Sequence, residues 1–315
     1  MTLDFYFDLL AQVLLPMGLL IAAGAIWRTR LDDAGIRAVR GYITTVTINL
    51  FTPALLFAAA ATARVDSNLL SVPLLLALSM LVTGLPLYFL LFRTRFGGSC
   101  SQAARAGLLL CGIFGNVLFM GYPLLTYLYG EAGGQYAAFA DMSATTPLLW
   151  TAGVWIAVKL GGQTKEAGHP LKQLFSLPPL WAFAAGVLAA QLPIDRQPLV
   201  NAAHFIGQPT VPVMLLMLGL SIPWAQLKPS KPVLMVVGFK LLLLPLTAFL
   251  LALALFPAMT DAQRGAVLEA GMPTMLMALG VADRYRLDVE RVALTVAWGT
   301  VLFLLSLPLW LIMLG

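Results

Sequence analysis

Charge is what this sequence has least of. Asp, Glu, Lys and Arg together make up 10% of its 315 residues, where a soluble domain carries about a quarter. Histidine is rarer still: His169 and His204 are the only two, which argues against a histidine-based metal centre. The two cysteines, Cys100 and Cys111, show no metal-ligand spacing and imply no disulfide framework. A Gly-Lys-Ser/Thr phosphate loop is missing, which speaks against an ATP-driven pump. His-x-x-x-His and Gly-x-Ser-x-Gly patterns are missing too, so an intramembrane enzyme lacks its usual base and nucleophile. The expectation is a protein that is not an enzyme, needs no cofactor and holds no metal.

What is there is apolar. Hydrophobic residues make up 60% of the chain and the mean hydropathy is +0.89. Apolar runs recur along its whole length, which no single soluble core can absorb. A hydrocarbon layer of ~30 Å needs about 20 apolar residues per helix. Several runs meet that length, and the alternation of an outer-membrane barrel is absent. The segment from Met1 to Arg30 opens with Asp4 and Asp8 in place of a basic stretch, and its apolar run exceeds a signal-peptide core. It reads as a retained first span.

The runs give ten spans: 5–27, 37–61, 68–92, 103–129 and 134–159, then 177–193, 199–224, 231–256, 262–282 and 289–314. The hydrophilic stretch Gly161–Ser176 divides residues 1–160 from 177–315. Charge tests the map. Connections after the odd-numbered spans hold fifteen of the nineteen cations: Arg28, Arg30, Arg37, Arg40, Arg93, Arg95, Arg105, Lys159, Lys165, Lys172, Lys228, Lys231, Arg284, Arg286 and Arg291. The other side holds Arg64, Arg196 and Arg264, and Lys240 falls inside span 8. Cytoplasmic loops carry the positive excess, so both termini face outside an inner membrane. The net charge of +5 thus serves topology and not nucleic acid. Two sets of five spans enter the membrane from opposite sides, which predicts inverted repeats. Pro53 and Pro86, shifted by 159 residues, land on Pro212 and Pro245, and Gly121-Tyr122-Pro123, shifted by 150, lands on Gly271-Met272-Pro273.

Spans 4 and 9 each carry Gly-x-Pro near the middle, in the sequences Gly115-Asn116-Val117-Leu118-Phe119-Met120-Gly121-Tyr122-Pro123 and Glu269-Ala270-Gly271-Met272-Pro273. Proline lacks an N–H and clashes with the carbonyl four residues earlier, so the expectation is a break at each motif. Broken helices persist in a membrane only where protein buries them or a cavity solvates them. Paired breaks in corresponding spans point to a transport site near the midplane, where half-helix N-termini suit an anion. Single Gly-Pro interruptions are otherwise ordinary kinks.

Buried polar residues extend the candidate site. Asn116 can donate to a carboxylate or tie two helices together. Glu269, one turn before Pro273, is a proton carrier or the partner of a cation. Lys240 lies about nine residues into span 8 and Asp141 about seven into span 5. Either acid can pair with Lys240, as a structural ion pair or as coupling machinery. Asn49 and Thr52, ahead of Pro53, offer a second polar wall, or bond to their own helix around the proline.

At these residues the chain resembles the auxin efflux carrier family, which includes the plant PIN carriers and bacterial relatives. The match rests on Asn49 to Phe57, on Gly115-Asn116-x4-Gly121-Tyr122-Pro123-Leu124-Leu125 and on Leu218-Gly219-Leu220-Ser221. It continues through Glu269-Ala270-Gly271-Met272-Pro273, Tyr285-x-x-Asp288 and Leu307-Pro308. The resemblance implies an all-α membrane fold like that of bile-acid carriers and sodium–proton antiporters, with helices 4 and 9 broken and crossing. It implies a scaffold of spans 1, 2, 6 and 7, a transport part of spans 3–5 and 8–10 that moves like an elevator, and a homodimer. Family substrates are organic anions, and Asn116 matches the asparagine that faces the substrate carboxylate in PIN carriers. Glu269 stands where those carriers typically have glutamine, which makes proton coupling worth testing. Their long cytoplasmic loop is missing.

The leading expectation is therefore an elevator-type secondary transporter exporting a small organic anion, with a proton or sodium ion as coupling partner. A sodium-coupled symporter resembling bile-acid carriers and a membrane small-molecule sensor that does not transport stay open on the sequence alone.

Overall fold

The computed structural model describes residues 3–95, 97, 100–162 and 169–315. Lys165 and the 163–168 part of the Gly161–Ser176 linker lie outside the described residues. Helices fall on the apolar runs: α1 (Phe5–Arg28), α2 (Asp33–Thr62), α3 (Ser67–Arg93), α4 (Gln102–Ile113) and α5 (Val117–Tyr129), then α6 (131–160), α7 (Pro170–Phe175) and α8 (Pro178–Gln191). They continue as α9 (Gln197–Ser221), α10 (Lys231–Leu255), α11 (Asp261–Ala270), α12 (Met277–Arg284) and α13 (Val289–Leu314). Six of them, α1, α2, α3, α9, α10 and α13, are long and apolar enough to cross a membrane.

Short polar side chains set where helices begin. Asp32 accepts from the Gly35 N–H at 2.8 Å, Asp66 from Leu69 at 2.8 Å, Ser101 from Ala104 at 3.1 Å and Asp288 from Arg291 at 3.0 Å. Thr260 and Gln263 form a capping box at the start of α11. Each satisfies N–H groups that the first helical turn leaves open.

Five of the prolines inside the helices are absorbed in one way, whereas Pro73, Pro86 and Pro308 sit in helices that stay α-helical around them. Wide turns of i→i+5 type end two residues before a proline at Leu10–Leu14, Thr47–Phe51, Val117–Gly121, Asp141–Thr145 and Phe239–Leu243. The prolines are Pro16, Pro53, Pro123, Pro147 and Pro245. Widening the turn relieves the clash of the ring with the carbonyl four residues back, without ending the helix.

The helices pack in two groups. α1 packs on α9, and α2 on α8 and α9. At the α1–α9 contact a Cβ on Gly24 or Gly219 would run into the backbone carbonyl of Leu216 or Ile21, respectively. Small residues there let the two backbones touch, which is how helices associate in lipid. In the second group α3 packs on α10, α11 and α6, while α13 packs on α4 and α10. Large apolar side chains cover the outside; Phe205 and Leu305 are each 75% exposed, a surface suited to lipid.

Candidate functional site

The two interrupted helices meet at their gaps. Between α4 and α5 the chain runs extended through Phe114 and Gly115, and between α11 and α12 through Pro273 to Met275. Gly115 and Thr274 form an isolated antiparallel bridge. The Asn116 N–H donates to the Pro273 carbonyl at 2.7 Å, and the Met275 N–H to the Phe114 carbonyl at 3.1 Å. Thr274 Oγ1 donates to the Cys111 carbonyl at 2.9 Å, closing the end of α4. Each break thus supplies the partners the other lacks, which is what a break at membrane depth requires.

One break is where the sequence puts it, at Gly271-Met272-Pro273. The other is not. Helix α5 runs unbroken through Gly121, Tyr122 and Pro123, because the wide turn Val117–Gly121 accommodates the proline. The interruption lies upstream, at Phe114 to Asn116. Gly121 instead makes room for a neighbour, since a Cβ there would fall onto both carboxylate oxygens of Glu269. The glycine is the space into which that side chain fits.

A narrow cavity of about 70 Å³ opens beside the crossing. Its polar lining comes from Thr52 on α2, Gly115 and Asn116 at the break, and Asp141 and Thr146 on α6. Ile48, Phe119, Leu149, Trp150 and Met275 are among its apolar walls. Val117 to Phe119, the first residues of α5, and Leu276 and Met277, at the start of α12, also line it. Two helix N-termini therefore border one cavity, each carrying about half a positive charge; at α12 the Ala278 and Leu279 N–H groups already donate to the Met275 and Leu276 carbonyls. The Asn116 side chain makes no hydrogen bond to protein among the described residues and caps no helix end. Thr146 Oγ1 donates to Asp141 Oδ1 at 3.2 Å. Thr52 Oγ1 is buried with no partner.

Glu269 and Lys240 are next to the crossing but do not line the cavity. Lys240, 1% exposed, donates from Nζ to the Ala270 carbonyl at 2.6 Å and packs close to Gly115. Glu269 is fully buried, and neither carboxylate oxygen has a hydrogen-bond partner. Lys240 and Glu269 form no ion pair within 4 Å; among the described residues such pairs are Arg264–Asp261 and Arg291–Asp288. Asn49 is separate from all of these. It lies exposed on α2 and donates Nδ2 to the Thr45 carbonyl at 2.7 Å, the local bonding of a helical Asn.

Thr146 and Thr274 do not stand out in the sequence as site residues, yet both are built into this region. A threonine five residues after Asp141, and one directly after the Pro273 break, are the signals that were there to use.

Apolar helices enclosing paired breaks around a small cavity define a membrane transport protein. The chain belongs to the membrane transport protein family, whose model matches residues 37–167 and 167–311; this is the auxin efflux carrier family that the motifs resemble. Similar proteins include an uncharacterized transporter of Methanothermobacter thermautotrophicus, 29% identical over 277 residues, covering 85% of this chain and 87% of the relative. An uncharacterized transporter of Methanocaldococcus jannaschii is 27% identical over 255 residues, covering 76% and 78%.

Proposed function

We propose that the chain is an elevator-type secondary transporter of a small organic anion, held at the crossing by its carboxylate. The observation that carries this reading is the convergence of the α5 and α12 N-termini on one cavity that Asn116 also lines. Together the two ends supply about one unit of positive charge and several open N–H groups, and the Asn116 amide adds donors.

In this reading the chain crosses an inner membrane ten times, with α4–α5 and α11–α12 each counted as one broken span, and both termini face the periplasm. The halves are inverted repeats, each with its fourth span broken. The group of α1, α2, α8 and α9 is the scaffold, and the remaining spans carry the crossing across it. The packing of the helices into two groups supports that division. Glu269 carries the coupling proton: a buried carboxylate with no partner is costly when ionised, and protonation removes the charge.

The test begins with thermal-shift screening of purified protein against acetate, malonate and malate at pH 5.5 and 7.5. Uptake of the stabilising acid into liposomes follows. Asn116→Ala is expected to abolish stabilisation and uptake while keeping the ligand-free Tm; undiminished uptake would sink the site. Glu269→Gln is expected to flatten the response to pH, and a retained response would remove Glu269 as the carrier.

A further inference from the structure

The charges around the cavity do not balance for a plain carboxylate. Among the described residues lining it, Asp141 is an acid and none is Lys, Arg or His. Lys240, the buried cation beside the crossing, already donates to the Ala270 carbonyl and does not reach the lining. The two helix N-termini offset about one negative charge between them. A bound carboxylate uses that offset, and Asp141 then faces the ligand with no cation among the lining residues to pair with it. Two like charges a few ångström apart in such a site repel by several kcal/mol at an effective dielectric of about 20.

The hydrogen-bonding groups point the same way. Asn116 and the open N–H groups of α5 and α12 are donors on the crossing side. On the side of α2 and α6 the open groups are an acceptor-only carboxylate oxygen of Asp141 and the Thr52 hydroxyl, which can accept as well as donate. One Asp141 oxygen takes the Thr146 hydroxyl, while the other has no hydrogen-bond partner among the described residues. Thr52 Oγ1, on a residue 4% exposed, has no partner either. A bare proton on Asp141 would cancel the charge but bring a single donor. An ammonium brings three donors, no acceptor and the missing positive charge.

We infer that the substrate carries an ammonium as well as a carboxylate: a small amino-acid-like zwitterion, its carboxylate at Asn116 and the helix N-termini, its ammonium at Asp141 and Thr52. This rests on the carboxylate site proposed above and narrows its substrate class from organic anions at large to α-amino acids or close analogues. The apolar remainder of the lining, including Ile48, Leu149 and Trp150, fits a small uncharged side chain.

The probe is a matched set: valine, 3-methylbutanoate (valine without its ammonium) and isobutylamine (valine without its carboxylate). Glycine, alanine and leucine with their own deleted analogues complete it. Binding is read by thermal shift and by competition in liposome uptake, at pH 5.5 and 7.5, in sodium and in potassium. At least one amino acid is expected to bind ten-fold or more tightly than either of its deleted analogues. Asp141→Asn is expected to erase that preference, leaving the amino acid no better than the des-amino acid. Thr52→Val should weaken the amino acid and spare the des-amino acid, and it serves as the second variant should Asp141→Asn not fold.

If des-amino acids bind as tightly as amino acids in wild type, with either cation and at either pH, the ammonium inference fails while the carboxylate site stands. If the amines alone match the amino acids and Asn116→Ala changes nothing, the carboxylate site fails as well. Absence of response to every amino acid overturns the inference.

Discussion

Asp141 and Glu269 are both buried carboxylates beside one crossing, and their surroundings differ in kind. Asp141 shares an oxygen with Thr146 and lines the cavity. Glu269 is sealed against Gly121, with neither oxygen bonded. The same contrast divides their neighbours: Thr52 and Asn116 open on the cavity, whereas Lys240 holds the end of α11. Burial therefore does not say which of these residues meets the ligand. What sorts them is whether the residue lines the cavity: Thr52, Asn116 and Asp141 do, and Lys240 and Glu269 do not.

Substitutions on the packed side are expected to act on the fold. Lys240→Ala leaves the Ala270 carbonyl orphaned and a void in α10, for a loss of about 3–5 kcal/mol. Lys240→Met keeps the volume and loses about 1–3 kcal/mol. Unfolding in detergent measures both, and an unchanged Tm in the pair would dissolve the distinction between the two sides. Gly121→Ala places a methyl on the Glu269 carboxylate and is expected to lose about 1–3 kcal/mol. Adding Glu269→Ala should restore part of that loss, since the two side chains compete for one space; strict additivity in the double mutant would contradict the contact.

Substitutions on the cavity side are expected to act on the ligand. Thr52→Val removes a buried hydroxyl with no partner, so the ligand-free Tm should hold or rise slightly, while ligand affinity drops by roughly 2- to 10-fold. Titration calorimetry on the variant tests this, and a lowered Tm with intact affinity would reverse the assignment. Asn49→Ala is the smallest case: an exposed side chain bonded to its own helix, expected to shift stability by no more than about 0.5 kcal/mol and to leave uptake as it was.

The helices were legible because apolar length is a direct requirement of the membrane. The break at Gly271-Met272-Pro273 was legible because Pro273 marks it locally. The break at Phe114 to Asn116 was not, because no proline marks it: Gly115-Asn116 is a quieter turn signal, and Pro123 drew the expected break downstream. Asp141 and Thr52 were visible as polar residues at depth, but sequence position gives depth along a helix, not the direction its side chain takes. Asn49 and Thr52, three residues apart on α2, show the limit. The one is exposed and bonded to its own backbone, and the other is buried at the cavity.

The crossing is joined by groups that every residue carries. Asn116 and Met275 contribute N–H groups, Phe114 and Pro273 contribute carbonyls, and Pro273 is asked only for the acceptor a proline still possesses. Apart from Thr274 on the Cys111 carbonyl, Lys240 on the Ala270 carbonyl and Gly115, where a Cβ would meet Lys240, the joint makes no demand on side-chain identity. Residues projecting from it into the cavity are therefore free to be exchanged without dismantling the joint. One architecture can change what it recognises by substitution at a handful of positions, and divergence among relatives at those positions should track cargo more closely than overall identity does.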